Sequence, residues 1–323
     1  RARQGGALAP DPTRPVTTRR DSGAATAAAH FGMFRGRRTL AILNPTSGAR
    51  RGEDVAADLE EALLGHGAVA AEVRVTGGPD DALDWATSAA EEGFDLVVAG
   101  GGDGTVTAVA QGVFRSGADT PVAVLPLGTG NGLARVLGIP LDPDGALEAL
   151  ASGRPVKLDV IDVRSHGLVS LLFCGAGLDA RINEEADREA KDRLGFLAYV
   201  LATLKSAREL KRHDLVVTLD DRSVRLRGHT VIAFNATRVA VLGVELGPDS
   251  YPHDGRMDVS VIRSRGTLAG LRRALRLLGR HESRSQMTPA TRLRVEATPP
   301  LPVQVDGDPV GETPLEAEVV PAA

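Results

Sequence analysis

The sequence predicts an α/β chain in two parts: a doubly wound α/β domain with a parallel sheet, followed by a mainly antiparallel β domain. Three observations carry this. Up to about residue 156, short apolar runs alternate with stretches of helical spacing. From about Lys157, strand-like runs follow one another with turn residues between them. A length of 323 residues, at roughly 150 per domain, gives about two domains.

Residues 1–37 read as a disordered basic tail. Over 1–38 there are eight Arg against Asp11 and Asp21, about +6, which leaves about −10 for the rest of a chain whose formal charge is −4. The α/β domain is expected over 38–156. Thr39–Asn44 is an apolar run of strand length that ends in Pro-Thr-Ser-Gly. Val55–Leu64 sets Val55, Leu59, Ala62 and Leu63 at helical spacing. Ala70–Thr76 reads as the second strand, Asp80–Glu92 as a helix and Asp95–Ala99 as the third strand. Thr105–Arg115 is the next helix, Pro121–Leu125 the fourth strand, and Asn131–Leu137 opens a further helix. Strands separated by helices of this length form βαβ units, and their sheet is parallel and covered on both faces.

The β domain is expected over 157–323. Its strand-like runs are Leu158–Val163, Leu168–Cys174, Leu215–Leu219, Ser223–Leu226, Thr230–Asn235, Met257–Ile262, Thr291–Ala297 and Pro302–Val305. Helical stretches interrupt them near 184–211 and 267–280.

Composition excludes several classes. A charged fraction of 25% with a net charge of −4 does not describe a nucleic-acid-binding polycation. One cysteine, Cys174, makes neither an internal disulfide nor a cysteine-based zinc cluster. No uncharged apolar run reaches membrane-spanning length, so a cytoplasmic enzyme with at most peripheral membrane contact is the expectation.

The chemistry is concentrated in Asp95–Val106 (DLVVAGGGDGTV), where a strand runs into glycines and an Asp before a helix opens. Such a turn presents backbone N–H groups and a helix N-terminus to an anion, and glycine leaves room for phosphate oxygens. The third glycine of a dinucleotide fingerprint is missing, and no Walker-type G-x-x-x-x-G-K-[ST] occurs. A tight turn without a ligand explains this one stretch equally well. Two similar turns follow strands of the same sheet, Asn44-Pro45-Thr46-Ser47-Gly48 and Pro126-Leu127-Gly128-Thr129-Gly130-Asn131. A parallel sheet brings all three to its carboxyl edge, where open α/β sheets bind ligands.

NPTSG at 44–48, GGDGT at 101–105, PLGTGN at 126–131 and VDGD at 305–308 together resemble the diacylglycerol kinase catalytic family, which includes sphingosine, ceramide and bacterial lipid kinases. The resemblance spans about residues 38–320 with the motifs in order. It implies ATP in a cleft between an α/β domain, like those of NAD kinases and phosphofructokinases, and a β-sandwich. It implies nucleotide contacts from Asn44, Pro45, Thr46, Ser47, Gly48 and Thr76, from Gly101, Gly102, Asp103, Gly104 and Thr105, and from Thr129 and Asp308. The stretch Pro252-His253-Asp254-Gly255 resembles the family's D-D-G turn, so Asp254 with carbonyls of Tyr251 and Arg256 is expected to hold a structural magnesium; a plain hairpin turn is the alternative.

Phosphoryl transfer needs a base near the acceptor hydroxyl and a metal on the phosphates. Asp306, Asp103 and Asp308 are the candidates, with Asp306 expected as base and Asp103 as ligand of the nucleotide's magnesium. Asp308 stands where the family usually has Glu. Asp179, after the Gly175–Gly177 turn, and Asn131 match family positions near the acceptor; helix capping is the alternative for Asp179. After the glycine loop the family usually continues T-x-N-E, whereas this chain has Thr107 and Ala108. The helix Thr267–Arg280 carries Leu268, Leu271, Leu275 and Leu278 on one face and four Arg elsewhere, which fits either a membrane-surface helix or a packed helix with a basic outer face.

The expected function is an ATP- and magnesium-dependent kinase for a hydroxyl of diacylglycerol or a related lipid at a membrane surface. A kinase for a soluble acceptor, such as NAD or a specialised metabolite, and a nucleotide- or lipid-binding regulator with weak turnover remain alternatives. No nucleic acid partner is expected; the family resemblance suggests a homodimer.

Overall fold

A computed structural model describes residues 32–45, 52–177, 212–236, 252–263 and 287–323. The expected ligands Thr46, Ser47, Gly48, Asp179 and Tyr251, the helices near 184–211 and 267–280, and the tail up to residue 31 lie outside the described residues.

The first part follows the predicted alternation, with β1 (Arg38–Leu43), α1 (Gly52–Gly65), β2 (Ala70–Val75), α2 (Asp81–Ser88), β3 (Leu96–Gly101), α3 (Asp103–Ser116), β4 (Val122–Pro126), α4 (Gly132–Leu137) and α5 (Pro143–Ser152). The four strands form a parallel sheet in the order β2-β1-β3-β4. Side chains alternate across it. Leu40, Ile42, Val97 and Ala99 pack with Ala82, Ala86, Val106 and Val109 of α2 and α3, while Ala41, Leu43, Leu96 and Val98 pack with Leu59, Leu63 and Leu147 of α1 and α5. Both faces are therefore dry, which is why β3 reads as an unbroken apolar run rather than an alternating one.

The second part contains β5 (Val160–Val163), β6 (Leu168–Ser170), β7 (Phe173–Ala176), β8 (His213–Leu219), β9 (Arg222–Gly228), β10 (Thr230–Phe234), β11 (Met257–Ile262), β12 (Thr288–Ala290), β13 (Arg292–Thr298), β14 (Pro302–Val305), β15 (Asp308–Glu312) and β16 (Leu315–Val320). They form two antiparallel sheets, β12-β11-β10-β7-β14-β15 and β6-β5-β16-β13-β8-β9. One core joins their inner faces: Leu215, Val217, Leu293, Val295, Leu315 and Val319 from one sheet meet Cys174, Val231, Ala233, Met257, Val259 and Val303 from the other. The expected class, a parallel α/β layer followed by an antiparallel sandwich, is the observed one.

The structure changes the expected elements in several places, adding β12 and ending α2 at Ser88. Leu168–Cys174 is not one strand but two, β6 and β7, in different sheets; Leu171 and Leu172, between them, direct their N–H groups to a side chain instead of a ladder, as described below. Helix α5 is not among the expected elements; Asp142 caps it by accepting the Gly145 N–H at 2.7 Å, and Pro143 occupies the helix start, where its missing N–H is no loss. Strands β15 and β16 follow β14 through tight turns and complete both sheets.

The two parts share a core. Val160, Val169, Leu171, Leu172, Phe173 and Ala236 pack into the same cluster as Val106, Val109 and Leu133. Among the described residues no helix is long and apolar enough to cross a membrane.

Candidate active site

The carboxyl ends of the parallel strands gather the predicted loops at one edge. The Asn44 N–H donates to the Gly100 carbonyl at 2.9 Å, Thr76 N–H to Leu43 at 2.8 Å, and Leu127 N–H to Gly101 at 3.0 Å. Asn44, Pro45, Thr76, Gly101 to Thr105 and Thr129 therefore sit around one sheet edge, as expected. Glycine is required where two loops touch: a Cβ on Gly128 would lie 2.5 Å from the Gly102 Cα. Gly102 stands at the N-cap of α3 without a side-chain cap, so the first-turn N–H groups and the positive end of the helix dipole are left open beside the loops. Thr105 is buried and its hydroxyl accepts from Asn44 Nδ2 at 3.3 Å, which ties the first loop to the glycine loop.

Asp103 is engaged by the PLGTGN turn. Its Oδ1 accepts the Gly132 N–H at 2.6 Å, and the N–H groups of Leu133 and Asn131 also face it. Loss of hydration on burial pushes its carboxyl above the ordinary range, and the negative charge of Asp306 adds to this. The carboxylate thus caps α4 and braces the PLGTGN turn. Asn131 is likewise a turn-builder. Left-handed at φ 50°, it accepts from the Gly128 N–H at 3.1 Å and donates to the Gly128 carbonyl at 2.7 Å. Its amide closes the turn, unlike the acceptor contact expected for it.

Asp306 sits at φ 50° in the β14–β15 turn, and both its oxygens are occupied. Oδ1 accepts from Ser170 Oγ at 2.8 Å and from the Leu172 and Phe173 N–H groups at 2.9 and 3.0 Å. Oδ2 accepts from the Leu171 N–H at 2.9 Å and from Thr107 Oγ1 at 3.0 Å. A carboxylate has about four lone-pair sites, so five donors leave none for an incoming proton. The geometry does not favour the expectation of Asp306 as base; the side chain is the latch that splits β6 from β7.

Two residues on, Asp308 is different. Its carboxylate accepts no hydrogen bond from a described residue, and Oδ2 lies 3.9 Å from the point where a side chain on Gly104 would begin. It stands at the surface, yet adjacent protein strips part of its hydration. This lifts its carboxyl above the ordinary range, and the charge of Asp306 adds to the effect. The arrangement is a helix N-terminus able to hold an anion, faced by a carboxylate that no described residue engages. Cys174 is no nucleophile: burial pushes its thiol up to about 12.

Gly177, the last described residue before Asp179, lies at the end of β7 opposite Phe173, about 13 Å along the strand at about 3.3 Å per residue. Its N–H donates to Pro302 at 2.8 Å, whereas the Asp306 N–H donates to Phe173 at 2.9 Å. At the expected metal turn, Asp254 is exposed; Oδ1 accepts the Arg256 N–H at 3.0 Å, and Oδ2 accepts no hydrogen bond from a described residue. Among the described residues no three His, Cys, Asp or Glu side chains cluster as metal ligands. A site built from one carboxylate and backbone carbonyls is an all-oxygen set, the chemistry a hard divalent ion takes, and Asp254 Oδ2 fits it.

Sequence reasoning missed the residues that fasten the expected metal turn and the junction of the two parts. Asp159, 2% exposed, accepts the Gly255 N–H at 2.6 Å and the Ala322 N–H at 2.9 Å and so holds the Asp254 turn. Gln111 accepts the Val169 N–H at 3.1 Å, and Arg115 donates to the Gly167 carbonyl. The one available signal was spacing: Thr107, Gln111 and Arg115 lie four apart on one stripe of α3.

Comparison with known proteins agrees with this architecture. Residues 38–163 match the model of the diacylglycerol kinase catalytic domain, and residues 173–323 match that of the YegS C-terminal NAD kinase beta sandwich-like domain. The chain is 32% identical over 256 residues to the "Probable lipid kinase YegS-like" of Pseudomonas aeruginosa (strain UCBPP-PA14), covering 78% of this chain and 82% of that protein. It is 28% identical over 241 residues to the "Diacylglycerol kinase" of Bacillus subtilis (strain 168), covering 73% and 78%. It is also 30% identical to the Synechocystis "Uncharacterized protein sll0036", over 71% of this chain, and spans only 54% of that protein's length. A solved diacylglycerol kinase structure from Bacillus anthracis str. Sterne superposes with a TM-score of 0.74 at 23% identity, covering 88% of this chain and 94% of that one, which speaks to the fold. With its motifs at the sheet edge, its sandwich behind them and these matches across both parts, the chain belongs to the diacylglycerol kinase catalytic-domain family and is a kinase.

Proposed function

We propose that the protein transfers the γ-phosphoryl group of ATP to a hydroxyl of diacylglycerol or a related lipid, with Asp308 as the proton acceptor. The observation that carries this is the Asp308 carboxylate, which accepts no hydrogen bond from a described residue and faces Gly104 at the N-terminus of α3. In the step, the acceptor oxygen bonds to the γ-phosphorus, the bond from that phosphorus to the β–γ bridging oxygen breaks, and ADP leaves. The hydroxyl proton passes to Asp308. Carboxylates with raised affinity for protons suit this role near neutral pH. The α3 N-terminus and the glycine N–H groups hold the phosphates. Magnesium bound with the nucleotide supplies neutralisation of phosphate charge. Asp254 Oδ2, with carbonyls of Tyr251 and Arg256, is proposed to hold a structural divalent ion.

The test is ADP release from Mg-ATP by the purified protein against diacylglycerol, ceramide, sphingosine and other lipids in mixed micelles, with NAD as a soluble control. Lipid-dependent release is the expected result. Release with NAD alone moves the acceptor to a soluble molecule, and tight ATP binding without release on any acceptor rejects the transfer reaction.

A further inference from the structure

Five donors converge on the Asp306 carboxylate, and four of them, Ser170 Oγ and the N–H groups of Leu171, Leu172 and Phe173, belong to one short run of the β part. The fifth, Thr107 Oγ1, comes from α3. A helical threonine hydroxyl ordinarily bonds back to the carbonyl four residues earlier. Here it points across the junction, and because an ionised carboxylate only accepts, the hydroxyl is the donor. Further down the same stripe, Gln111 accepts from the Val169 N–H and Arg115 donates to the Gly167 carbonyl. The run 167–173 is thus strung along α3, with Thr107 nearest the glycine loop. Asp306 is two residues from Asp308, whose Oδ2 faces Gly104 near the start of the same helix.

We infer that Thr107 is a positioning residue: its hydroxyl registers the Asp306–Asp308 turn on α3 and so sets the distance between the Asp308 carboxylate and the anion site. The inference rests on the reading of Asp308 as proton acceptor. Gln111 and Arg115 hold the same junction farther from the chemistry, so they fasten the two parts together without setting that distance. Ser170 steadies the latch from the β side only. A misplacement of about 1 Å in a reacting group costs on the order of 10²-fold in rate, so one hydroxyl at this position carries weight in kcat.

The experiment compares Thr107→Val, which keeps shape and removes the donor, with Thr107→Ser, which keeps the donor, and with Gln111→Leu as a junction control. Thr107→Val is expected to lower kcat for lipid-dependent ADP release by about 10- to 100-fold, with KM for ATP within about twofold. Thr107→Ser is expected to stay within about threefold, and Gln111→Leu to lose thermal stability while keeping kcat. A Thr107→Val kcat within about twofold of the parent overturns the inference. So does a parallel fall of kcat in Thr107→Val and Gln111→Leu that tracks their loss of stability. If the parent releases no ADP with any lipid, the lipid reading fails by itself, and amide exchange over residues 302–310 decides the registration. Exchange at least about fivefold faster in Thr107→Val and unchanged in Thr107→Ser supports it; equal exchange in all three overturns it.

Discussion

The carboxyl edge of the parallel sheet and the β14–β15 turn face each other across Gly104, and they bring different materials to the meeting. The edge is built from backbone. Gly102 and Gly128 touch Cα to Cβ position, Asn131 folds its amide onto Gly128, and Asp103 caps α4, so side chains there hold the loops and leave N–H groups outward. The turn is built around charge: Asp306 is saturated by five donors while Asp308 accepts none from a described residue. The difference separates two tasks. In the proposed reaction an anion is held by dipoles that need no ionisable group, and a proton is taken by a carboxylate that no described residue engages, beside a neighbour that does the fastening.

The sharpest way to break this contrast is to exchange the two carboxylates' fates. Asp308→Asn is expected to lower turnover by about 10²–10⁴-fold, the usual worth of a positioned base, with ATP affinity and thermal stability close to the parent. Asp306→Asn, in contrast, is expected to lose stability first, because an amide presents an N–H₂ to backbone donors that need an acceptor. Parallel ATP binding, melting and ADP-release measurements on the two variants check this. Equal activity losses with equal melting losses would erase the distinction between base and latch.

The sequence made the backbone edge legible and the charged turn only partly so. Glycine-rich turns after apolar strands report their place directly, since a parallel sheet sends every such turn to one edge. What Asp306, Asp308 and Asp103 do depends on partners far away in the chain: Thr107 and Asp306 are 199 residues apart, and Ser170 and Asp306 are 136 apart. No local pattern carries such contacts. The same contact hid the break in Leu168–Cys174, a run whose composition is that of one strand but whose middle N–H groups are claimed by Asp306. Thr107 was visible as a departure from the family's usual Asn, and only the fold turned that departure into a hydrogen bond. Helix α5, by contrast, carried a readable start in Asp142-Pro143.

A smaller effect sharpens the backbone side. Gly128→Ala places a methyl 2.5 Å from the Gly102 Cα, and backbone has nowhere to retreat, so a loss of about 1–3 kcal/mol in stability is expected together with weaker ATP binding. Gly104→Ala meets nothing closer than Asp308 Oδ2 at 3.9 Å. In the first turns of α3 it gains up to about 1 kcal/mol of helix stability over glycine, while its methyl intrudes between the helix N-terminus and Asp308. The expected pair is therefore opposite in melting temperature and alike in reduced activity. Calorimetric melting beside ADP release reads both, and a Gly104→Ala variant that is more stable and fully active would show that nothing passes between Gly104 and Asp308.

The smallest expected effect is in pH. Burial, then the charge of Asp306, raise the Asp308 carboxyl above its ordinary value of 3.8. Because the base must be ionised, turnover falls as pH drops through that raised value, and the acid limb of the rate profile lies above 3.8. The stability effect has the opposite sense. A carboxyl that holds its proton more tightly when folded favours the fold at low pH, and this contribution is lost as pH rises from the unfolded value through the folded one. Asp308→Asn removes the ionised form, so its stability at neutral pH should equal or slightly exceed the parent's, while activity disappears. An acid limb at the ordinary value would mean that Asp308 is fully hydrated when the enzyme works, and that the turn stands farther from α3 than it does here.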